Sequence, residues 1–185
     1  MRNRPQVPER HAAGGGSTTT ITCARKGATT PRNLMSYTRT FYHIIFRTKY
    51  SVPAIDIAHE DELYRYIWGF VKNKESILYR IDGMPEHLHL FIELSPKFAL
   101  ADFMRDLKCS TSKWLQDNPH FPLFQGWATG YAAFTYSLNE KEVVINYIKR
   151  QKEHHLSVNL ETELRNLLTE NGCEIDEKFF LQDND

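Results

Sequence analysis

The chain contains no apolar run that approaches the ~20 residues needed for a membrane-spanning helix. It has only three cysteines, widely spaced and without a Cys-x-x-Cys pair, which argues against a disulfide framework or a zinc–thiolate site and favours a reducing, intracellular setting. No P-loop motif is present either. With 23 basic and 23 acidic residues the net charge is zero, whereas proteins that grip long duplex DNA are usually much more basic. Any nucleic-acid contact is therefore expected to be local and shape-dependent, or shared between subunits.

The charges that are present are concentrated at the two ends of the chain. Residues 1–34 hold six Lys and Arg against Glu9 alone. Residues 161–185 hold eight carboxylates against only Arg165 and Lys178. The remainder of the chain is close to neutral.

Composition also divides the chain along its length. The low-complexity run 14–20 is rich in Gly, Ser and Thr, and no hydrophobic periodicity surrounds it. We therefore predict a disordered extension over 1–34, one folded domain over 35–180 and an acidic tail end at 181–185. A basic arm that contacts DNA is the alternative role for the first segment.

Hydrophobic periodicity predicts an alternating order of strands and helices within the folded domain. These elements fall, in chain order, at 41–49 (strand), 60–74 (helix), 76–82 and 86–94 (strands), about 98–116 (helix), 131–136 (strand), 137–154 and 160–171 (helices). Strand, helix, hairpin, helix, strand is the split βαβ order of a ferredoxin-like antiparallel sheet, so we predict an α+β fold. Ser137 and Glu140 have the spacing of a capping box at the start of the third helix. That helix follows a completed sheet and is expected to project, free to dock onto another subunit.

A histidine pair marks the predicted third strand. His87 and His89 are two residues apart, so both project from one face of the strand, while alternate leucines and an isoleucine form the other face. Two imidazoles side by side on an anchored strand suggest a metal site. A core role for the two histidines is the alternative interpretation.

The third helix carries a second pattern. Val144, Tyr147, Ile148 and Gln151 follow at i, i+3, i+4 and i+7, which puts Tyr147 and Gln151 on one face, one turn apart. One interpretation is an ordinary core stripe, and helix geometry alone favours it. The other makes Tyr147 a nucleophile beside a metal-ligating Gln151. A glutamine within a buried stripe supports the second interpretation, because an unpaired buried amide costs about 1–3 kcal/mol.

Together these residues resemble a known family. A Met84-Pro85-Glu86 turn before the His-x-His strand, followed by a helix with Tyr-x-x-x-Gln, is similar to the HUH single-tyrosine transposases, which include the insertion-sequence 200-like enzymes and their REP-associated relatives. The resemblance extends over roughly 35–180. It includes segments similar to the family's first strand, its second helix, the stretch before its catalytic helix and that helix itself, at 42–50, 107–114, 127–135 and 147–155.

The resemblance implies a chemistry for these positions. His87, His89 and Gln151 would hold Mg²⁺ or Mn²⁺, and Tyr147 would attack the scissile phosphate, release a 3′-hydroxyl and form a 5′-phosphotyrosine. The covalent bond conserves the phosphodiester energy, which agrees with the missing P-loop. Single-stranded DNA with small hairpins would be the substrate. The family also implies a homodimer with active sites shared between subunits, in the cytoplasm of a bacterium and associated with the nucleoid.

Several further residues are candidates for a supporting role at the metal site or for contact with DNA. Glu86 is expected to orient a ligand imidazole or to end the turn, and His43 is expected to lie on the sheet. The candidates for DNA contact, against which a solvated helix surface or a helix cap is the alternative, are Lys49, Lys108, Ser110, Ser112, Lys113, His154 and His155.

Two other functions remain open from the sequence. The first is a non-cutting relative that binds single-stranded or hairpin DNA. The second is a metal-dependent hydrolase that activates water and needs no Tyr147.

Overall fold

The computed structural model describes residues 37–178 and 180–183. The predicted extension over 1–34 lies outside the described residues. In chain order the elements are β1 (Phe41–Arg47), α1 (Glu60–Asn73), β2 (Ile77–Met84), β3 (His87–Glu93), α2 (Leu100–Gln116), β4 (Ala132–Tyr136), α3 (Lys141–Lys149), α4 (Gln151–His154) and α5 (Leu160–Glu170), with 3₁₀ turns at Lys49–Ser51 and Leu138–Glu140. None of the helices in these two ranges is long and apolar enough to cross a membrane.

The four strands form one antiparallel sheet in the order β2-β3-β1-β4. This is the ferredoxin-like arrangement, and the predicted α+β fold is confirmed. α1 and α2 cover one face of the sheet. The buried side chains of this layer include Ile44, Phe46, Leu88, Leu90 and Ile92 from the sheet and Leu63, Ile67, Phe103 and Leu107 from the helices. Full burial of such a side chain contributes roughly 1.5–3 kcal/mol, so this layer is the principal core.

The second face of the sheet is covered by α3 and α5. Val144, Ile145 and Ile148 of α3 pack against Phe41 and Phe91. Leu167 of α5 packs against the neighbouring part of the same face, which carries Ile45 and Phe134. The prediction that the third helix projects freely was wrong, because this face is itself apolar and α3 buries it. The homodimer with shared sites stays a prediction.

The helix that was predicted at 137–154 is interrupted. α3 ends at Lys149, Arg150 has φ −100° and ψ 13°, and α4 begins at Gln151. The capping box at its start is confirmed, since the Ser137 N–H donates to the Glu140 carboxylate at 2.9 Å.

The hairpin before the histidine pair is tighter than predicted, because β2 continues through Gly83 to Met84. A β-carbon on Gly83 would collide with the carbonyl oxygen of His87, so only glycine permits this close pairing. The hairpin thereby fixes the register of β3, and with it the direction in which its histidines point.

Candidate functional site

The strand register brings three imidazoles together on the second face. His87 and His89 are both 0% exposed. β1 pairs with β3 so that Ile45 lies opposite His89, which makes His43 a diagonal neighbour of His89 on the same face. His43 Nε2 and His89 Nδ1 are 2.9 Å apart.

Each histidine of the pair is held through its Nδ1 atom. His87 Nδ1 lies 3.0 Å from Glu86 Oε1, and His89 Nδ1 bonds to His43. An ionised carboxylate can only accept, so in the neutral His87 ring Nδ1 carries the proton and Nε2 offers a lone pair. This is the way in which many metal-ligating histidines are oriented.

The α3–α4 segment contributes a phenol and an amide to the same place. Tyr147 is half-buried, with its ring centroid 6.2 Å from that of His89. Gln151 is fully buried. Among the described residues, three buried atoms here have no hydrogen-bond partner: His87 Nε2, His89 Nε2 and Gln151 Oε1. An unsatisfied buried polar atom costs about 1–3 kcal/mol, and two imidazole nitrogens with an amide oxygen form a donor set that fits a divalent cation.

A carboxylate that the sequence analysis did not single out lies among these groups. Glu163 of α5 is 2% exposed. Its Oε1 accepts a short hydrogen bond from the Tyr147 hydroxyl and one of 2.9 Å from Gln151 Nε2. The phenol and the amide are therefore tied to one carboxylate oxygen.

The other oxygen of Glu163 faces the imidazoles. Oε2 lies 2.9 Å from His155 Nε2, 3.5 Å from His89 Nε2 and 3.7 Å from His87 Nε2. One potential ligand atom from each of these four residues lies within 4.8 Å of all the others. The group can therefore hold a metal ion with an anionic ligand in addition to the imidazoles.

Burial and charge set the protonation of the site. Burial lowers the pKa of His89 to about 4 and lowers the pKa of His43 well below its usual value, so both rings are neutral at pH 7. Burial alone would raise the pKa of Glu163, but hydrogen bonding from His155 and interaction with His89 outweigh it and lower the pKa. The carboxylate is therefore anionic.

The Glu163 carboxylate in turn raises the pKa values of two of its hydrogen-bond partners, Tyr147 and His155. Burial, and then the hydrogen bond to Glu163, raise the pKa of Tyr147 above the usual value for tyrosine, so the phenol keeps its proton in this arrangement. Burial opposes protonation of His155, but the bond to Glu163 and its charge raise the pKa of that imidazole overall.

The structure thus brings Tyr147, His87, His89 and Gln151 into one cluster and puts Glu86 beside His87. Glu163 is not among the residues predicted from the sequence, and His43 has no predicted partner. His155, a candidate for DNA contact, has its ring 4.7 Å from that of His87. A signal for Glu163 existed, because a carboxylate stands inside the apolar stripe of the last predicted helix, which includes Leu160, Leu164 and Leu167.

Lys108, proposed as a DNA contact, is engaged within the protein. Its Nζ donates to three backbone carbonyls in the segment 128–130, at 2.8, 2.9 and 2.8 Å. Burial lowers the pKa of Lys108 to about 8. These contacts tie α2 to the segment that leads into β4.

The other proposed DNA contacts are dispersed. Ser110 bonds to the Tyr66 hydroxyl at 2.8 Å, and Ser112 and Lys113 line a surface groove of about 600 Å³ beside α2. α2 lies on the opposite face of the sheet from the histidine pair. Lys49 follows β1, whereas the His154 ring is 5.8 Å from that of Tyr147. Of this group, only the two histidines lie beside the site.

A comparison with protein families agrees with the resemblance identified from the sequence. The model of the family described as "Transposase IS200 like" matches residues 36–151. A proposed transposase from Deinococcus radiodurans R1 is 22% identical, with 67% of this chain and 98% of that one covered and a TM-score of 0.48. A REP-associated tyrosine transposase, solved bound to a REP hairpin, is 12% identical, with 71% and 76% covered and a TM-score of 0.48. No curated protein matches.

The family match covers more than half of the chain. It begins just before β1 and ends at Gln151, so it contains the histidine pair and Tyr147 but stops before Glu163. The chain therefore belongs to the IS200-like transposase family.

Proposed function

We propose that this transposase is an HUH-type, metal-dependent enzyme that cuts and rejoins single-stranded DNA through a 5′-phosphotyrosine on Tyr147. The observation that carries the proposal is the set of three buried atoms without hydrogen-bond partners, on His87, His89 and Gln151, beside the hydroxyl of a half-buried tyrosine. A hydrophobic core or a surface that only binds DNA does not require unpaired buried ligand atoms beside a tyrosine hydroxyl.

His87, His89 and Gln151 would hold the ion, with Glu163 as a further anionic ligand. Mg²⁺ or Mn²⁺ is our expectation for this mixed set of imidazole, amide and carboxylate groups, which contains no thiolate. When bound, a divalent cation supplies Lewis-acid polarisation of the scissile phosphate. Glu86 and His43 orient the two imidazoles through their Nδ1 atoms.

Tyr147 and Glu163 carry out the proton transfer. The phenol oxygen of Tyr147 forms a bond to phosphorus while its proton passes to Glu163 Oε1, which already accepts its hydrogen bond. The bond between phosphorus and the 3′-oxygen breaks, and that oxygen leaves as a 3′-hydroxyl after protonation from solvent. Attack by another 3′-hydroxyl on the phosphotyrosine reverses these steps and rejoins the strand.

A surface cleft leads to the proposed nucleophile. It has a volume of about 650 Å³ and is lined by Val143, Asn146, Tyr147, Arg150, Glu153 and His154. We propose that the single strand enters here, with exposed Arg150 available to its phosphates. A REP hairpin is the ligand of one structural neighbour, and small hairpins are the substrate that we propose for this chain.

The arrangement within one chain supports a site formed in a single subunit. Tyr147 and Gln151 contact Glu163 of the same chain and lie beside its own histidine pair. A homodimer that exchanges α3 between subunits, as the resemblance implied, is the alternative assembly.

A non-cutting, hairpin-binding relative is the second candidate function. One observation favours it: the bond to Glu163 stabilises the neutral form of Tyr147, which is not nucleophilic. An active enzyme must release the phenol proton when DNA and metal bind, whereas a binding protein need not.

Formation of a covalent adduct distinguishes these functions. The full chain would be mixed with single-stranded copies of both strands flanking its gene, with Mn²⁺, Mg²⁺ or a chelator, and separated on a denaturing gel. We expect a metal-dependent adduct that is lost in Tyr147→Phe and His87→Ala and retained in Tyr131→Phe, a matched control outside the site. Hairpin binding without an adduct would support the second candidate, and cleavage that survives Tyr147→Phe would indicate a hydrolase.

A further inference from the structure

A second group of ligand-type side chains lies where the start of α1 meets the segment after α2. His59 precedes α1, Glu62 lies in its first turn, and His120 follows the end of α2. One potential ligand atom from each of the three lies within 4.8 Å of the other two. Because α1 and α2 cover the face of the sheet opposite His87 and His89, this group is separate from the proposed catalytic site.

Hydrogen bonds already hold these side chains in place. Asp56 Oδ2 lies 2.8 Å from His59 Nδ1, and Glu62 Oε1 lies 3.0 Å from His120 Nδ1. Glu62 Oε2 also accepts from Asn118 Nδ2 at 3.2 Å. With Nδ1 of His59 bonded to a carboxylate, Nε2 of the neutral ring keeps its lone pair for a ligand.

The cluster is both charged and accessible. The bond from His59 lowers the pKa of Asp56, and the bond from Asn118 lowers the pKa of Glu62, so both carboxylates are anionic at neutral pH. The exposed fractions of the His59 and His120 side chains are 34% and 44%, so a hydrated ion can reach them. The two rings stack with centroids 3.8 Å apart, which brings imidazoles from two different segments next to one carboxylate.

We propose that His59, Glu62 and His120 form a surface site for Zn²⁺ or a similar divalent metal ion, with Asp56 orienting His59. Two imidazoles and one carboxylate are a donor set that zinc accepts, with water in the remaining position. Binding would turn the His120 ring out of its stack on His59, so that both rings direct a nitrogen lone pair at the ion, and would replace the hydrogen bond between His120 and Glu62 with a bond from each residue to the metal. The ion would join the start of α1 to the segment after α2 and so stabilise the folded chain.

Zinc stoichiometry tests this site directly and does not depend on the proposed DNA chemistry. The full chain would be titrated with Zn²⁺ by calorimetry, and with Co²⁺ by absorption, beside the double variant His59→Gln/His120→Gln. We expect the double variant to bind one equivalent fewer per chain and to lose the part of the metal-induced rise in Tm that this site supplies. Glu62→Gln should weaken binding at this site by about tenfold or more.

Asp61→Asn is the matched control, because it removes a neighbouring carboxylate from the same turn that is 78% exposed and outside the cluster. It should leave both the stoichiometry and the affinity unchanged. The substituted side chains lie at or near the surface, so these variants are expected to fold. A double variant that binds as many Zn²⁺ ions as wild type, with the same affinity, would overturn the proposal.

Discussion

At the residue scale, the site depends on contacts between residues that are distant in sequence. The spacing of His87 and His89, and of Tyr147 and Gln151, can be read from the chain because each pair shares one strand or one helix face. The partnership of His43 with His89 needs the register of β1 against β3, which a single sequence does not fix. Glu163 belongs to a different helix from every group that it contacts, and periodicity therefore could not connect it to them.

Buried His89 predicts a pH dependence of stability. The pKa of His89 is about 4 in the folded chain, against about 6.5 for an unperturbed histidine. Between these values the unfolded chain binds a proton that the folded chain does not, so the free energy of unfolding decreases as the pH falls from about 6.5 to about 4. The expected loss from His89 is on the order of 3 kcal/mol, and none of it occurs above pH 7.

Urea unfolding at pH 7.5 and pH 4.5, with a chelator present, would measure this loss. The contribution of His155 to stability changes with pH in the opposite direction, because its pKa is raised in the folded chain. This stabilising contribution is present below about pH 6.5 and is lost as the pH rises through the folded pKa. The contribution of His89 is therefore the difference between wild type and His89→Asn. Equal pH dependence in the two proteins would contradict the expectation.

A second prediction concerns the carboxylate that accepts the tyrosine proton. Glu163→Gln keeps the size of the side chain but removes the acceptor and the negative charge, so we expect adduct formation to slow by roughly 10²–10⁴-fold. Single-turnover measurements would give this rate. Glu161→Gln on the exposed side of the same helix is the control and should react like wild type. A rate for Glu163→Gln at or above that of wild type would exclude a role for Glu163 as the base.

At the scale of elements, the sequence predicts where helices and strands occur better than where they pack. Each predicted element of the sheet and of α1, α2 and α5 is present within a few residues. The third predicted helix is present too, but it is interrupted at Arg150 and lies on the sheet. Its apolar stripe predicts that one face is buried; nothing in the stripe specifies the surface that buries it.

The packing of α3 on the sheet should contribute to the free energy of unfolding. Ile148 is fully buried in the layer that holds Tyr147 beside the histidines, so Ile148→Ala should lower the free energy of unfolding by about 2–5 kcal/mol. Val143→Ala, on the exposed side of the same helix, should change it by less than about 0.5 kcal/mol. Chemical denaturation measures both values. Similar values for the two variants would mean that α3 does not pack on the sheet in solution.

At the scale of the whole molecule, the sheet separates the principal core from the proposed active site. The face under α1 and α2 holds the principal core, and the face under α3 and α5 holds the proposed active site. The second face is closed by α5, which lies beyond the part of the chain that matches the family. The order of strands and helices therefore predicted the fold, and the family resemblance supplied the proposed roles of the histidine pair, Tyr147 and Gln151. The contribution of α5 required the three-dimensional arrangement.

Mixing of inactive variants tests whether the site forms within one chain. Tyr147→Phe keeps the histidine pair, and His87→Ala/His89→Ala keeps Tyr147 and Gln151. A site formed within one chain predicts that a mixture of the two, allowed to exchange subunits, yields no adduct. Recovery of adduct formation would instead establish that subunits share the site, as the homodimer prediction requires.

The most direct test of the proposed chemistry is to identify the residue that becomes attached to DNA. The adduct formed with Mn²⁺ would be digested with nuclease and trypsin and analysed by mass spectrometry. We expect the peptide 142–149, which contains only one tyrosine, to gain the mass of a 5′-linked nucleotide on Tyr147. Attachment to any other residue, or cleavage of the strand with that peptide unmodified, would contradict it.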